Sequence, residues 1–452
     1  MRRLGRIGSL ARFYSTKKLM IEDRGIYEDV FPEKCVPDVA RLFRQAPQTI
    51  YAGFDPTAAS LHIGNLLILT TLLRWQRAGH QPIALLGNAT GQIGDPSHRS
   101  DERQSITSEE LCKNSQKIRE NILTVFDNHR KYLCNEKVAE KLKELKVLDN
   151  IEWYKDMRVL EFVAHVGRHF RMGTMLGRTS VQNRLNSDNG MSFCEFCYAV
   201  FQGYDWWKLF EMHKCRFQVG GSDQMGNIVS GHDLISRLSS SQAYGLTVPL
   251  ITTSGGRKFG KSAGNAVWLN KEMSSSFQLY QYFMRTTDND VKRFLKLFTF
   301  IEMEEVRDIV RRHREKPEKR EAQTILAENV TLMVHGEDGL KSAQRVTNAL
   351  YSTSVSTLSA LEPSDFTQSF EGANTIELQG QAGLTMLELA LQAKCFKTDH
   401  DARRIIDAGG FYVNNTRIQN TEEVVVPGVH VLRNNLTILR TGKRTYHIIK
   451  WR

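Results

Sequence analysis

Apolar residues fall along this chain in a few short runs, separated by stretches with helical spacing. Thr49-Ile-Tyr-Ala-Gly-Phe54 reads as a short buried strand, followed by a turn at Asp55-Pro56. Residues 61–79 carry leucines at helical spacing (Leu66, Leu69, Leu73, then Gln76) and stop at Gly79. Pro82-Ile-Ala-Leu-Leu-Gly87 is a second apolar strand, again ending in glycine. Strand, helix and strand in this order form a βαβ unit, which requires a parallel sheet with a right-handed crossover. Arg216-Phe-Gln-Val-Gly220 and Leu246-Thr-Val-Pro-Leu-Ile251 read as later strands of the same sheet. Residues of about 105–210 are mostly helical in pattern and read as an insertion.

Beyond the sheet, residues 276–350 are helical and charged, and Ser352 to Gln379 is a Ser/Thr-rich connection. From Gly383 the pattern is helical to Ala408, then Gly409-Gly410, a strand Phe411-Tyr-Val413, an Asn414-Asn415 turn and Arg417-Ile418. No internal repeat is present. The expected organisation is a leader at 1–18, a sheet domain at 19–275, a helical domain at 276–351, a linker at 352–382 and a small terminal domain at 383–452.

Composition narrows this picture. The 452 residues are 41% hydrophobic and 25% charged, an ordinary globular balance, too long for one core. No apolar run is long enough for a membrane-spanning helix. Six of the net +11 charges (Arg2, Arg3, Arg6, Arg12, Lys17, Lys18) lie in residues 1–18, with no acid before Glu22, so only +5 remains behind. As a helix this segment sets Leu4, Ile7 and Leu10 or Ala11 against arginines, and no apolar core follows the charges. That is the composition of a mitochondrial transit peptide; a basic tail is the alternative. Seven scattered cysteines fit a reducing compartment without a disulfide framework. Cys194-x-x-Cys197 has only the weak His213-Lys-Cys215 to complete a metal set, so it reads as two small residues on a helix face.

The candidate chemistry begins at Ser60-Leu-His62-Ile-Gly64-Asn65, just after the first strand. Ser60 is expected to cap a helix whose free N–H groups and partial positive charge suit a phosphate. His62 and Asn65 fall three apart on its first turn, and Gly64 leaves room for a base or ribose. Taken alone this segment reads equally as an ordinary capped helix. Lys258-Phe-Gly-Lys261-Ser262 follows Ser254-Gly-Gly256 and places two compact charges on a Gly-rich loop, suited to a triphosphate or simply to solvent. Tyr198, Gln202 and Asp205, spaced i, i+4, i+7, share one stripe of a helix.

In order around a parallel sheet, the two segments resemble the HIGH and KMSKS signatures of class I aminoacyl-tRNA synthetases. With Tyr51-Ala-Gly-Phe-Asp-Pro-Thr57, Ala89-Thr-Gly-Gln-Ile-Gly-Asp-Pro-Ser97 and Gln218-Val-Gly-Gly-Ser-Asp-Gln-Met-Gly-Asn227, the chain resembles the bacterial-type tyrosyl enzymes from about residue 25 to its end. The fold this implies is α/β: a Rossmann-like parallel-sheet catalytic domain with a helical dimerisation insertion, an anticodon-contacting α-helical domain and a small α+β S4-like RNA-binding domain. The implied partners are tyrosine, tRNA(Tyr), ATP with Mg2+ as a substrate complex, and a second copy of the chain through residues near Phe193. No permanently bound metal or prosthetic group and no membrane partner is expected.

The resemblance also implies residue roles. Tyr51 and Asp205 bind the substrate phenol; Tyr198, Gln202 and Asp95 hold its ammonium; Gln224 lies on the tyrosine side of the adenylate. Gly53, Asp55, His62, Gly64, Asn65, Gly221, Asp223 and Lys261 belong to the ATP site. Thr57 and His62 contact the transferring phosphate, and Lys258, Lys261, Ser262, Arg99 and Arg103 grip the leaving pyrophosphate. Phenylalanine would leave the buried Asp205 and Tyr51 unsatisfied; its rejection by tyrosyl enzymes is itself the standard illustration of that rule. The departures are Asn65 for the second His of HIGH, Phe259 and Gly260 in the lysine loop, Arg99 where relatives carry Lys, and Met225 where they carry Trp. None removes a catalytic group. The terminal module carries Lys394, Lys397, Arg403, Arg404, Arg417, Arg433, Arg440, Lys443 and Arg444 as a basic face for RNA phosphates. A tryptophanyl enzyme is the nearest rival, and the Tyr51/Asp205 pair and the terminal module argue against it.

Overall fold

In the computed structural model, which describes residues 24–33, 35–97, 106–251, 266–351, 374–432, 434–442 and 445–452, the first apolar run is strand β2 (Thr49–Phe54). It lies inside a six-stranded sheet with β1 (Val30–Phe31), β3 (Gln81–Leu86), β4 (Lys146–Asp149), β5 (Phe217–Gly221) and β6 (Tyr244–Val248), in the order β1-β6-β5-β2-β3-β4. Every neighbouring pair is parallel except β1 with β6, so the sheet is mixed and not purely parallel as the pattern predicts. Strand β4 corrects a second expectation. Residues 105–210 are not wholly an insertion, since Lys146–Asp149 extends the sheet beside β3.

The chain leaves β2 for β3 in one direction and β5 for β6 in the other. Right-handed crossovers therefore place helix Ile63–Arg77 and helix Met225–Ser239 on opposite faces. Between β2 and β5 the two directions diverge, which opens a crevice at the carboxyl ends of those strands. Helix Ile63–Arg77 is buried on nearly every side, hence its continuous apolar run in place of a single stripe. Helix Phe193–His213 packs tightly on Met225–Ser239. A Cβ on Gly231 would lie 2.5 Å from the Trp206 ring, so only glycine allows this approach. The core beneath contains Tyr51, Ile83, Leu85, Trp206, Leu209 and Ile228. Each fully buried large apolar side chain contributes about 1.5–3 kcal/mol.

Helix Asp288–Phe298 ends against two buried or half-buried arginines. Arg24 donates to the carbonyls of Lys296 (3.2 Å), Thr299 (3.3 Å) and Ile301, and Arg74 donates to those of Lys296, Leu297 and Thr299 at 2.6–3.4 Å. The carbonyls left unpaired at a helix C-terminus thus receive two guanidinium groups, which also match its partial negative charge.

The chain divides into two compact units. One runs to Ser274 and adds Tyr282–Gly336; the other comprises Ser275–Gln281 and the chain from Glu337 on. The helices expected over 276–350 are present, but Gly336 (φ 71°) interrupts the last of them, so the segment is shared between the units. In the second unit β7 (Asn374–Leu378), β8 (Phe411–Val413), β9 (Thr416–Ile418), β10 (Leu436–Thr441) and β11 (Thr445–Trp451) form a sheet in the order β7-β11-β10-β8-β9. Strand β7 falls inside the stretch expected to be a linker; it pairs with β11. Asn414 and Asn415, both with positive φ, make the two-residue hairpin turn that their sequence suggests. The periodicity from Gly383 to Ala408 resolves into two helices, Met386–Gln392 and Asp399–Asp407, capped by Thr385 and Thr398. Residues 1–18, expected as a leader, and residues 352–373 of the linker lie outside the described residues.

Candidate active site

The crevice between β2 and β5 holds a cavity of about 550 Å³. Its walls include Tyr51, Gly53, Asp55 and Thr57 from β2 and the turn after it, His62, Gly64 and Asn65 from the first helical turn, and Asp95 from the loop after β3. Tyr198, Gln202 and Asp205 face it from helix Phe193–His213, and Gly221, Asp223 and Gln224 complete it at the end of β5. Every described residue of the expected amino-acid and nucleotide sites lines this one space. Lys258, Lys261, Ser262, Arg99 and Arg103 lie outside the described residues.

At one end, the Asp205 carboxylate is buried and receives Asn150 Nδ2 at 3.0 Å, Trp153 Nε1 at 2.9 Å and the Tyr154 hydroxyl at 2.9 Å. Burial pushes its pKa up to about 7, against the lowering effect of those three donors. Tyr51 is 1% exposed, and its hydroxyl oxygen has no hydrogen-bond partner among the described residues. Burial, and then the neighbouring Asp205 charge, hold the Tyr51 phenol well above its usual range. Gln218, opposite Tyr51 on β5, and Gln202 each keep a buried amide oxygen without a partner among the described residues. These groups are costly unless something enters to satisfy them.

A hydrogen-bond chain links this end to the other. Asn150 Nδ2 also reaches Thr90 Oγ1 (3.0 Å), whose hydroxyl donates to Asp55 Oδ1 (2.7 Å), while Tyr198 donates to Asp55 Oδ2 (2.7 Å). Tyr198 therefore addresses Asp55, not a free cavity position. Asp95 accepts from Gln224 Nε2 at 2.7 Å, and the same Nε2 lies 3.1 Å from Asp223 Oδ2. Two carboxylates thus share one amide donor, an arrangement that favours a cation between them.

The first helical turn corrects one expectation. Ser60 does not cap the helix: its hydroxyl lies 2.8 Å from the Leu61 carbonyl and 2.9 Å from Asn121 Oδ1, and it receives the Asn270 N–H. His62 is the N-cap, and Asn65 Oδ1 accepts the His62 N–H at 3.1 Å. Asn in place of a second imidazole thus also closes a capping box. A Cβ on Gly64 would meet the His62 ring at 2.8 Å, so glycine here makes room for His62 itself. Trp268, bridged to His62, is a cavity wall that sequence reasoning missed. Asn150, Trp153 and Tyr154 were missed as well, since they follow the unread strand β4. Met225 opens helix Met225–Ser239 and is half-buried; nothing in the structure explains it in place of Trp.

Outside the cavity, Cys194 and Cys197 sit one turn apart on helix Phe193–His213, Cys194 exposed and Cys197 half-buried. Cys215 is instead buried against the Thr49 and Phe217 carbonyls. In the terminal module Lys394 and Lys397 are exposed, and the Arg440 guanidinium lies 3.8 Å from the Tyr412 ring centre. Arg403 and Arg404 are paired with acids of the module, and Arg417 caps the carbonyls of Ala408 and Gly409. Arg433, Lys443 and Arg444 lie outside the described residues.

Residues 44–352 match the family model for class I tRNA synthetases of the tryptophan and tyrosine type, and residues 365–449 match that for the tyrosine–tRNA ligase C-terminal domain. The chain is 52% identical over 443 residues to the mitochondrial tyrosine–tRNA ligase of Drosophila melanogaster, covering 97% of this chain and 96% of the relative. It is 44% identical to the human mitochondrial enzyme over 95% of this chain and 90% of that one. A C-terminally truncated mitochondrial tyrosyl-tRNA synthetase from Aspergillus nidulans superposes with a TM-score of 0.67 at 31% identity, over 76% of this chain and 99% of its own.

Proposed function

The chain belongs to the tyrosine–tRNA ligases among the class I aminoacyl-tRNA synthetases, and from that premise we propose how its residues divide the reaction. The tyrosine carboxylate attacks the α-phosphate of Mg-ATP in line, giving tyrosyl-adenylate and pyrophosphate. The terminal ribose hydroxyl of tRNA(Tyr) then attacks the tyrosyl carbonyl and releases AMP. Tyr51 and Asp205 take the phenol. Gln202, Asp95 and Tyr198 surround the ammonium, Tyr198 through the Asp55 carboxylate it holds, and Gln224 faces the adenylate. Gly53, Asp55, Gly64, Gly221 and Asp223 form the nucleotide side. Thr57, His62 and Asn65 meet the transferring phosphate; Lys258, Lys261, Ser262, Arg99 and Arg103 take the pyrophosphate. No covalent enzyme intermediate is needed, because positioning and charge stabilisation suffice.

The observation that carries this reading is the convergence of Tyr51, Asp95, Tyr198, Gln202 and Asp205, from distant parts of the chain, on one cavity where buried oxygens of Tyr51 and Gln202 have no partner among the described residues. We assign residues 383–452, extended back to β7, to an S4-like RNA-binding module, and the helices of 276–351 to anticodon contacts. The names of the relatives and the basic residues 1–18 support import into the mitochondrial matrix, and the exposed apolar residues around Phe193 support a homodimer. The test is ATP–pyrophosphate exchange by the chain lacking residues 1–18. Exchange is expected with tyrosine and not with phenylalanine or tryptophan; exchange with tryptophan would overturn the pocket assignment.

A further inference from the structure

We infer that Tyr154 is a positioning residue for substrate selection, its hydroxyl fixing Asp205 as an acceptor-only carboxylate beneath the substrate phenol. This rests on the assignment of Asp205 to the phenol. Tyr154 is not a wall of the cavity; it follows β4 and reaches Asp205 from behind. Its hydroxyl lies 2.9 Å from Asp205 Oδ1 and 2.9 Å from the Phe201 carbonyl. One proton has two acceptors, and an ionised carboxylate outcompetes a neutral carbonyl. Asn150 and Trp153 are donors only toward this carboxylate, so three donors already address it and none needs a proton from it. What is left for the ligand is an acceptor, which a phenol O–H satisfies and a phenylalanine ring does not. The ionisable groups around Asp205 are Tyr51 from β2, Asp55 just beyond it, Tyr154, and Tyr198 and Tyr204 from its own helix. Asp55 disfavours the charge on Asp205, and the bond from Tyr154 favours it.

The decisive variant is Tyr154→Phe, which keeps the ring and removes the proton. The expected result is a loss of about tenfold in kcat/KM for tyrosine, the lower end for one bond to a charged group with two donors left. That loss appears in KM for tyrosine, with KM for ATP and the melting temperature unchanged. The preference for tyrosine over phenylalanine in pyrophosphate exchange falls by the same factor, and the acid limb of kcat/KM for tyrosine moves to higher pH. In an Asp205→Asn background the same change costs no further selectivity, whereas a merely structural role would cost the same in both backgrounds. An unchanged preference in Tyr154→Phe, equal losses in the two backgrounds, or KM for ATP rising in step would each overturn the inference. Asp205→Asn retaining full selectivity would overturn the pocket assignment itself and the inference with it. Should Asp205→Asn fail to fold, the preference and the acid limb of Tyr154→Phe decide alone.

Discussion

Tyr51 is a buried phenol whose oxygen has no partner among the described residues, a condition that costs about 1–3 kcal/mol in a folded protein. Removing the oxygen should relieve the fold and harm recognition. Tyr51→Phe is expected to leave the melting temperature unchanged or raised while KM for tyrosine increases several-fold; a lowered melting temperature with unchanged KM would contradict the role given to it. Asp205 also costs stability, and in a way that depends on pH. Its folded pKa of about 7 lies above the usual carboxylate value, so the native state holds a proton that the unfolded chain releases earlier. Stability contributed by this group therefore falls as pH rises from about 4 to about 7. Across that window wild type should lose more thermal stability than Asp205→Asn, measured by melting at each pH. The residues assigned above to the substrate were legible because each lies in a recognisable run. The donors that hold Asp205 were not, because nothing in Asn150-Ile-Glu-Trp-Tyr154 marks it as part of a site until β4 is seen to deliver it there.

At the level of elements, long apolar runs declared themselves and short ones did not. Strands β2, β3 and β5 were legible because their covered faces make them largely apolar, whereas β6 is Tyr244–Val248, two residues earlier than the run 246–251 suggests, with Pro249–Ile251 beyond its end. Strand β4 is four residues, Lys-Val-Leu-Asp, with no buried position, and β1 is two residues long, so neither carries a period. In helix Phe193–His213, which carries Tyr198, Gln202 and Asp205 to the cavity, one ion pair fixes the first turn. Glu195 in its first turn meets Arg184 at 2.6 Å, with both side chains 2–3% exposed. Each charge there depends on the other. Glu195→Ala should destabilise the protein by about 3–5 kcal/mol in denaturant unfolding, because it strands a buried guanidinium. Replacing both with apolar residues of similar volume should recover much of that loss.

For the molecule as a whole, the exposed apolar residues are the informative surface. Leu160 and Phe193 are 84% and 82% exposed, with Val159, Val163 and Met172 also open, all within the segment 159–193. Apolar groups this exposed, and this concentrated in one stretch, are what supports the homodimer proposed above. Phe193→Asp should shift the native mass from two chains to one, and a wild type that is already a monomer would refute the dimer. Removal of residues 1–18, the leader proposed above, takes six positive charges with it, so a chain lacking them should elute from a cation exchanger at lower salt than the full chain. How far such trimming can proceed is written in the contacts of Arg24. Its guanidinium closes the end of helix Asp288–Phe298, far along the chain from the leader. Loss of Arg24 would leave the Lys296 and Thr299 carbonyls to Arg74 and take from the Ile301 carbonyl its Arg24 donor. Under the import proposed above, the far helix sets a limit on trimming, since only an N-terminus that keeps Arg24 keeps this helix end fully capped.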